Sequence, residues 1–487
     1  MKAIAVILAL MPTLCYAQWT QVGSSLNGQT VGERFGGSAA ISADGSIMAI
    51  AARDNASGGP NAGQVSVFSY SGGDWTQLGA AINGESSGDQ TGASISLSDD
   101  GSVLAIGEPF NNDLGFVTGQ VRVFAYSSDT WTQLGSDLFG QTLQAAAGTS
   151  VDLSADGTIV AVGAPNTEAA GVSFAGNVRV FEFLGGNWVQ KGGDLEGDGT
   201  IIKFGTSVSL SADGNTLAIG HTGDPTRGDT GRVKVYRHIG GLWTQTGQTI
   251  FSTAENDEFG YRVSLSSAGD VLAIGTYGKG EVKVFEWMDP SWTQMGSTLV
   301  GDNAGDAFGF SLSLSGDGSV LAVGARFISL ANDQPGSAYV FENQGGEWVR
   351  VDDPIVGVGP GDQTGFSVAI SQNGSRVVVG ATGNDEAGSN AGQVRVFDNT
   401  AVLHVDQLEA IPFVEIVPNP ATDFIQVHSK ETMVSYSICS LEGKVLRQSG
   451  ALKATDLSID VNDLVPGLYV LTFQTERGQG TFRIVKQ

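Results

Sequence analysis

Seven tryptophans, Trp19, Trp75, Trp131, Trp188, Trp243, Trp292 and Trp348, each open a new copy of one segment, at spacings of 56, 56, 57, 55, 49 and 56 residues. A fixed period of this length marks an array of identical supersecondary units that cover their apolar faces only against one another. The chain must therefore stack or close into a ring. One copy, read from Trp75, runs WTQLG, an acidic turn-rich stretch, TGASISLS (91–98), DDG, SVLAIG (102–107), a long loop and GQVRVFAY (119–126). SISLS and RVFAY alternate or are β-branched and aromatic, whereas LAIG and VAVG are continuously apolar, as strands buried on both faces are. No window carries sustained helical periodicity.

Four strands in each of seven repeats predict an all-β chain, a seven-bladed β-propeller. Ser42–Ser46 (SADGS), Ser98–Ser102 (SDDGS), Ser154–Thr158 (SADGT) and Ser315–Ser319 (SGDGS) place Asp-Gly between the second and third runs. Both residues tolerate the positive φ of tight turns, so a two-residue hairpin with a turn-forming Asp is expected. The last repeat ends at Asp398-Asn399-Thr400 without a tryptophan strand, and the missing strand stands at the other end as Trp19–Gly23. This strand is expected to complete the final blade, which removes the exposed edges of an open array.

FGTSVSLSADGNTLAIG (204–220) and TSVDLSADGTIVAVGAP (149–165), each followed by a GxVxVF-type strand, resemble FG-GAP repeats, the blades of integrin α-subunit propellers. Phe-Gly stands at 35–36, 204–205, 259–260 and 308–309. Calcium-binding hairpins of that family need a further acid after the turn, and Met48, Leu104 and Val160 stand there instead. The resemblance therefore carries over the fold without those calcium sites.

The two ends differ from the repeat. Residues 1–17 have Lys2, an apolar run from Ala3 to Leu14 and Cys-Tyr-Ala before Gln18, and predict a secretory signal peptide. Its removal leaves Cys439 as the single thiol, which excludes an intrachain disulfide. No other run is apolar and long enough to cross a membrane as a helix. The repeat fills 18–402, and 403–413 reads as a linker. Residues 414–487 closely resemble the type A C-terminal sorting domain of the type IX secretion system, through Pro418-Asn419-Pro420, Gly443-Lys444-Val445, Pro466-Gly467-Leu468-Tyr469 and a closing basic strand with Arg483 and Lys486. The resemblance implies a small β-sandwich, passage through the periplasm and outer membrane of a Gram-negative bacterium, the secretion machinery and its sorting peptidase as partners, and release or surface linkage of the cargo.

Lys plus Arg number 25 and Asp plus Glu 51, a net charge of −26. Nucleic acid and anionic membranes are poor partners for such a chain. Strand order puts the short turns on one face of the ring and two sets of long loops on the other. Long polar loops on a rigid scaffold commonly bind ligands, and the acids there, Glu85, Asp89, Asp257, Glu258, Asp302, Asp306 and Asp362, are the candidate ligand-face residues. They also leave calcium open as a cofactor, although no single loop has an EF-hand pattern. Arg227-Gly228-Asp229 matches an integrin-recognition tripeptide of low specificity. Of four histidines only His221 and His238 fall in the repeats, without a partner motif, and no nucleophile, zinc or phosphate-loop motif is present. The sequence thus reads as a secreted or cell-surface monomer without enzymatic activity, binding a glycan, matrix component or protein through its long-loop face. The alternatives are a propeller glycoside hydrolase or lyase using loop carboxylates, and a purely structural surface protein.

Overall fold

The structure is a computed structural model that describes residues 19–486 apart from 170, 199–202, 224–229, 253–256, 277, 304, 327–333, 400–413, 418–420, 441–444, 450–451, 466 and 476–478. The predicted signal peptide, the linker, the Arg227-Gly228-Asp229 tripeptide and the Pro418-Asn419-Pro420 and Gly443-Lys444 motifs lie outside the described residues. Every described element is a β-strand.

Trp19–Asp398 form one compact unit. It consists of seven antiparallel sheets, each ordered from an inner to an outer strand, as in Phe35–Ile41, Ile47–Ala52, Gln64–Ser71 and Asp74–Gln77 of the first blade. In the seventh sheet Trp19–Gln21 takes the outer place, next to Gln393–Asn399, and the Val22 amide donates to Val396 O at 2.9 Å. The N-terminal strand closes the ring as the repeat pattern requires. Each sheet also holds a fifth strand that the four-strand reading lacked, a two-residue segment such as Ile82–Asn83 paired with the start of the third strand at Val65 and Gln64. Two residues give no periodic signal, so only the paired backbone makes this strand visible.

The second strands fill the layer between blades. Met48, Leu104 and Val160 are fully buried, which accounts for apolar residues at the position where calcium-binding hairpins carry an acid. The hairpin itself is longer than Asp-Gly. The Ser42 amide bonds Ile47 O at 2.8 Å and closes a four-residue loop, Ala43–Ser46, rather than a two-residue turn. Asp44 holds that loop by accepting from Ser42 Oγ at 2.7 Å and from the Ser46 amide at 2.8 Å. Burial opposes its ionisation, but the bonds from Ser46 and Ser42 outweigh it and keep its pKa below the ordinary carboxylate value.

Two contacts explain the recurring WTQxG segment. Trp75, Trp131, Trp292 and Trp348 are buried, and the Trp131, Trp188 and Trp243 indoles donate to Leu78, Leu134 and Lys191 of the preceding blade at 2.9, 2.7 and 2.8 Å. At Gly23, Gly79, Gly135, Gly192 and Gly247 the glycine of one copy receives the tryptophan of the next. A Cβ on Gly135 would stand 2.9 Å from Trp188 Cδ1, and the Gly135 φ of 74° already disfavours other residues.

The inner strands line an axial channel and are stitched around it. Ser94, Ser150, Ser207, Ser311 and Ser367 each donate from Oγ to the carbonyl of Gly148, Gly205, Gly260, Gly365 or Gly36 in the following blade, at 2.8–2.9 Å. Two residues further along, Ser96, Ser209, Ser264 and Ser313 accept the next blade's amides of Leu153, Leu265, Leu314 and Ile370. At the short-turn end, six backbone bonds of 2.8–2.9 Å link consecutive turns, from the Ala43 amide to Asp99 O through to the Gly316 amide and Gln372 O. The Gln372 side chain crosses this end, accepting from Ser267 Oγ at 2.7 Å and donating to Asp99 Oδ1 at 3.4 Å.

The C-terminal strands form a separate unit, a six-stranded antiparallel sheet. Its seventeen-residue strand Phe424–Ser440 pairs with Val414–Val417, Val445–Gln448, Ala454–Asp460 and Gly467–Thr475. Residues from both ends of that strand, Ile425, Val427 and Ile438, share one core with Ile459, Leu471 and Ile484, so the sheet curls around a single core. Tyr469 is buried and its hydroxyl donates to Val465 O at 2.7 Å; Gly467 pairs with Lys486 on the closing strand.

Candidate functional site

The candidate acids stand on the long-loop face, spread over several blades; Asp302 and Asp306 share one small cavity of about 200 Å³. Asp89, Asp257, Asp306 and Asp362 occupy one repeat position, two residues before the Phe-Gly or Thr-Gly that starts the inner strand. All four are buried and bind their own loops. Asp89 accepts from the Ser86 amide at 2.8 Å; Asp257 from the Phe259 amide at 3.1 Å and Ser252 Oγ; Asp306 from the Phe308 amide at 3.0 Å. Asp362 accepts the amides of Val358 and Gly359 at 3.0 and 2.8 Å and Asn384 Nδ2 at 3.2 Å. Glu33, not among the candidates, does the same in the first blade, with Thr30 Oγ1 at 2.8 Å and Asn55 Nδ2 at 2.6 Å. Carboxylates used in this way hold loop shape.

The remaining three have other neighbours. Glu85 lies 3.5 Å from Arg122, Asp302 receives Arg350 at 2.8 Å, and burial raises the Glu258 pKa, with Lys203 opposing and Asp257 adding to the rise. Among the described residues no group of three or more His, Cys, Asp or Glu side chains could hold a metal ion. His221 is fully buried against Phe204, 5.7 Å between ring centroids, and burial with Arg232 and Lys234 nearby keeps it neutral.

The structure concentrates chemistry elsewhere, at the loop-face mouth of the axial channel. The residue after each Phe-Gly, or its equivalent, lies on this rim: Gly37, Ala93, Thr149, Thr206, Tyr261, Phe310 and Phe366 in blade order. Four consecutive blades supply small residues and three supply aromatics, so the rim is lopsided. The aromatic arc is continuous, with centroids 5.5 Å apart for Tyr261–Phe310 and 5.1 Å for Phe310–Phe366. Guanidinium groups stand over it. Arg326 lies 3.8 Å from the Phe310 centroid and 5.2 Å from Phe366, Arg53 lies 5.6 Å from Phe366, and Arg262 lies 4.6 Å from Tyr261. Arg53 and Arg326 are equivalent residues, each following the second strand of its blade. Burial depresses the Arg53 pKa; Asp54 opposes this, and Arg34 and Arg326 add to it. Below the rim is a space of about 200 Å³ lined by Ser38, Ser94, Ser150, Ser207, Ser311 and Ser367.

This rim was legible only by aligning the seven copies at Phe-Gly and reading the next residue. The repeats look even by strand pattern, and the unevenness is confined to that position and to the two arginines.

Deeper in the channel, Asp152 takes the place of the serines and accepts from Ser96 Oγ at 2.8 Å and from the Leu210 amide at 2.7 Å. Burial dominates and pushes its pKa up to about 6, against the bonds from Leu210, Ser96, Leu153 and Ser209.

A family model described as FG-GAP repeat matches residues 292–341 and 357–397, and one described as secretion system C-terminal sorting domain matches 415–487. No curated protein matches by sequence. Solved structures match the propeller. Raptor of Chaetomium thermophilum is 12% identical, with a TM-score of 0.52 over 79% of this chain and 29% of that chain. The Cps50 (Swd1) β-propeller domain of Myceliophteria thermophila is 12% identical, with a TM-score of 0.49 over 78% and 99%. The periplasmic gluconolactonase PpgL of Pseudomonas aeruginosa is 16% identical, with a TM-score of 0.45 over 81% and 94%. At these identities the likeness concerns the fold alone.

The chain is a seven-bladed β-propeller with FG-GAP repeats, followed by a C-terminal sorting domain. It is exported by type IX secretion and is secreted or displayed at the cell surface, and no helix among the described residues is long and apolar enough to cross a membrane.

Proposed function

We propose that the exported propeller is a non-enzymatic binding or adhesion protein that engages an extracellular glycan, matrix component or protein on its long-loop face, centred on the axial mouth. The observation that carries this reading is the lopsided rim, where Arg53, Arg262 and Arg326 stand over Tyr261, Phe310 and Phe366. Arginine guanidinium groups held on aromatic faces are typical anchors of binding surfaces. The use of Asp89, Asp257, Asp306 and Asp362 as loop staples, and the burial of His221, favour binding over acid–base catalysis.

The test is a glycan and matrix-protein array probed with the mature protein and with the Arg53→Gln/Arg326→Gln double variant, with calcium and with chelator. Selective binding that the double variant loses supports the reading. Binding that the variant retains moves the site away from the axial mouth, and turnover of any bound glycan replaces the non-enzymatic assignment.

A further inference from the structure

The ligand chemistry follows from how charge and hydrogen-bonding groups are distributed along the axial mouth, and rests on the mouth being the binding site. We infer that this mouth takes an acidic sugar unit, with its carboxylate or sulfate group between Arg53 and Arg326, its ring face against Phe366, and its hydroxyls directed down the throat.

Three features argue for it. First, the chain carries twice as many acids as bases, 51 against 25, yet four guanidinium groups converge here, with Arg34 3.4 Å from Asp54 and acting on Arg53. Arg53 Nε is buried without a hydrogen-bond acceptor and lies 3.9 Å from Asp54 Oδ1, beyond bonding distance. Two guanidinium groups within 6 Å of one ring repel each other, and an anion between them relieves that repulsion while accepting their N–H groups. Secondly, Phe366 lines the throat beside these donors and gives it an apolar surface for the C–H groups of a pyranose. Thirdly, the throat is acceptor-rich. The hydroxyl protons of Ser94, Ser150, Ser207, Ser311 and Ser367 are donated to glycine carbonyls, so toward the space they line these hydroxyls act as acceptors. A ligand that meets donors at the rim and acceptors below needs an anionic head and several hydroxyl donors. An acidic glycan has both, whereas an acidic peptide lacks the hydroxyl array.

Titration calorimetry on the mature full-length protein separates the outcomes, with oligogalacturonate, its neutral methyl ester, a sulfated oligosaccharide and poly-glutamate as probes. Oligogalacturonate should bind, the ester should bind at least about tenfold more weakly, and Arg53→Gln/Arg326→Gln should cost about tenfold or more. Arg350→Gln, a loop-face change at a paired arginine, should leave the affinity unaltered. Equal binding of the ester overturns the anion assignment while leaving the axial site in place. Equal binding of poly-glutamate overturns the glycan assignment. Oligogalacturonate binding that survives the double variant overturns the site itself, and no binding of oligogalacturonate or of a sulfated glycan overturns the inference. Unchanged melting temperatures of the variants establish that any loss is local.

Discussion

The Asp152 carboxylate accepts the Leu210 amide at 2.7 Å inside the axial channel and so ties the third blade to the fourth. Its other oxygen takes Ser96 Oγ of the second blade at 2.8 Å, which makes one side chain a link across three blades. The equivalent links elsewhere are serines, which carry no charge. Asp152 is therefore an ionisable group set among neutral serine links.

That group gives stability a pH dependence of definite sign. The folded pKa, about 6, lies above the ordinary 3.8, so between these values the folded state holds more protons than the unfolded one. The contribution is fully present below pH 3.8 and is lost as pH rises through about 6. The stability difference between wild type and Asp152→Asn should thus drift against wild type across this window and level off above it, by about 3 kcal/mol as an order of magnitude. Denaturant melts of both proteins at several pH values between 3.5 and 7.5 measure it; a constant difference refutes the assignment.

Ring closure depends on a few residues at each end. Besides the Val22–Val396 bond, the Trp19 amide reaches Asp352 Oδ2 at 3.0 Å and the Gly28 amide reaches Gly392 O at 2.8 Å. Deleting Trp19–Gly23 removes the outer strand of the seventh blade and exposes its edge. The melting temperature should fall by several degrees or more. An unchanged melting temperature would sink the closure model.

A buried ion pair guards the same junction. Arg376 donates to both oxygens of Asp398 at 2.5 and 2.7 Å and to Gly45 O of the first blade at 2.8 Å, and stacks 4.3 Å over Tyr70. Arg376→Ala leaves the Asp398 charge in a dry layer. The expected loss is about 3–5 kcal/mol, read from urea melts at neutral pH. A loss under 1 kcal/mol would place the pair in contact with water.

The repeat glycine in WTQxG should resist substitution wherever a tryptophan follows in the next blade. Gly135→Ala combines positive φ with a methyl 2.9 Å from Trp188, and should cost about 2 kcal/mol or more. Gly186, whose Cβ would meet nothing within 4 Å, is the matched control; its φ of 91° isolates the backbone part.

Export has its own test. Truncation after Val402 removes the sorting domain and should leave a folded propeller in the periplasm, seen by fractionation and protease protection. Normal surface display of the truncated chain would reject the sorting role.

The tryptophan period, the continuous LAIG and VAVG runs and the split final repeat determined the number of blades, four of the five strands in each and the closure. These features are properties of neighbouring residues, and each reflects burial that recurs at every copy. The acids were legible as loop-face residues, but not as staples, because whether Asp362 meets solvent or the Val358 amide depends on how its own loop folds back. The axial rim was out of reach of local patterns. Tyr261, Phe310, Phe366, Arg53 and Arg326 come from blades one, five, six and seven and stand up to 313 residues apart, from Arg53 to Phe366. Only closing the ring brings them around one axis, since a ring places equivalent positions of distant repeats side by side while sequence separation keeps them apart.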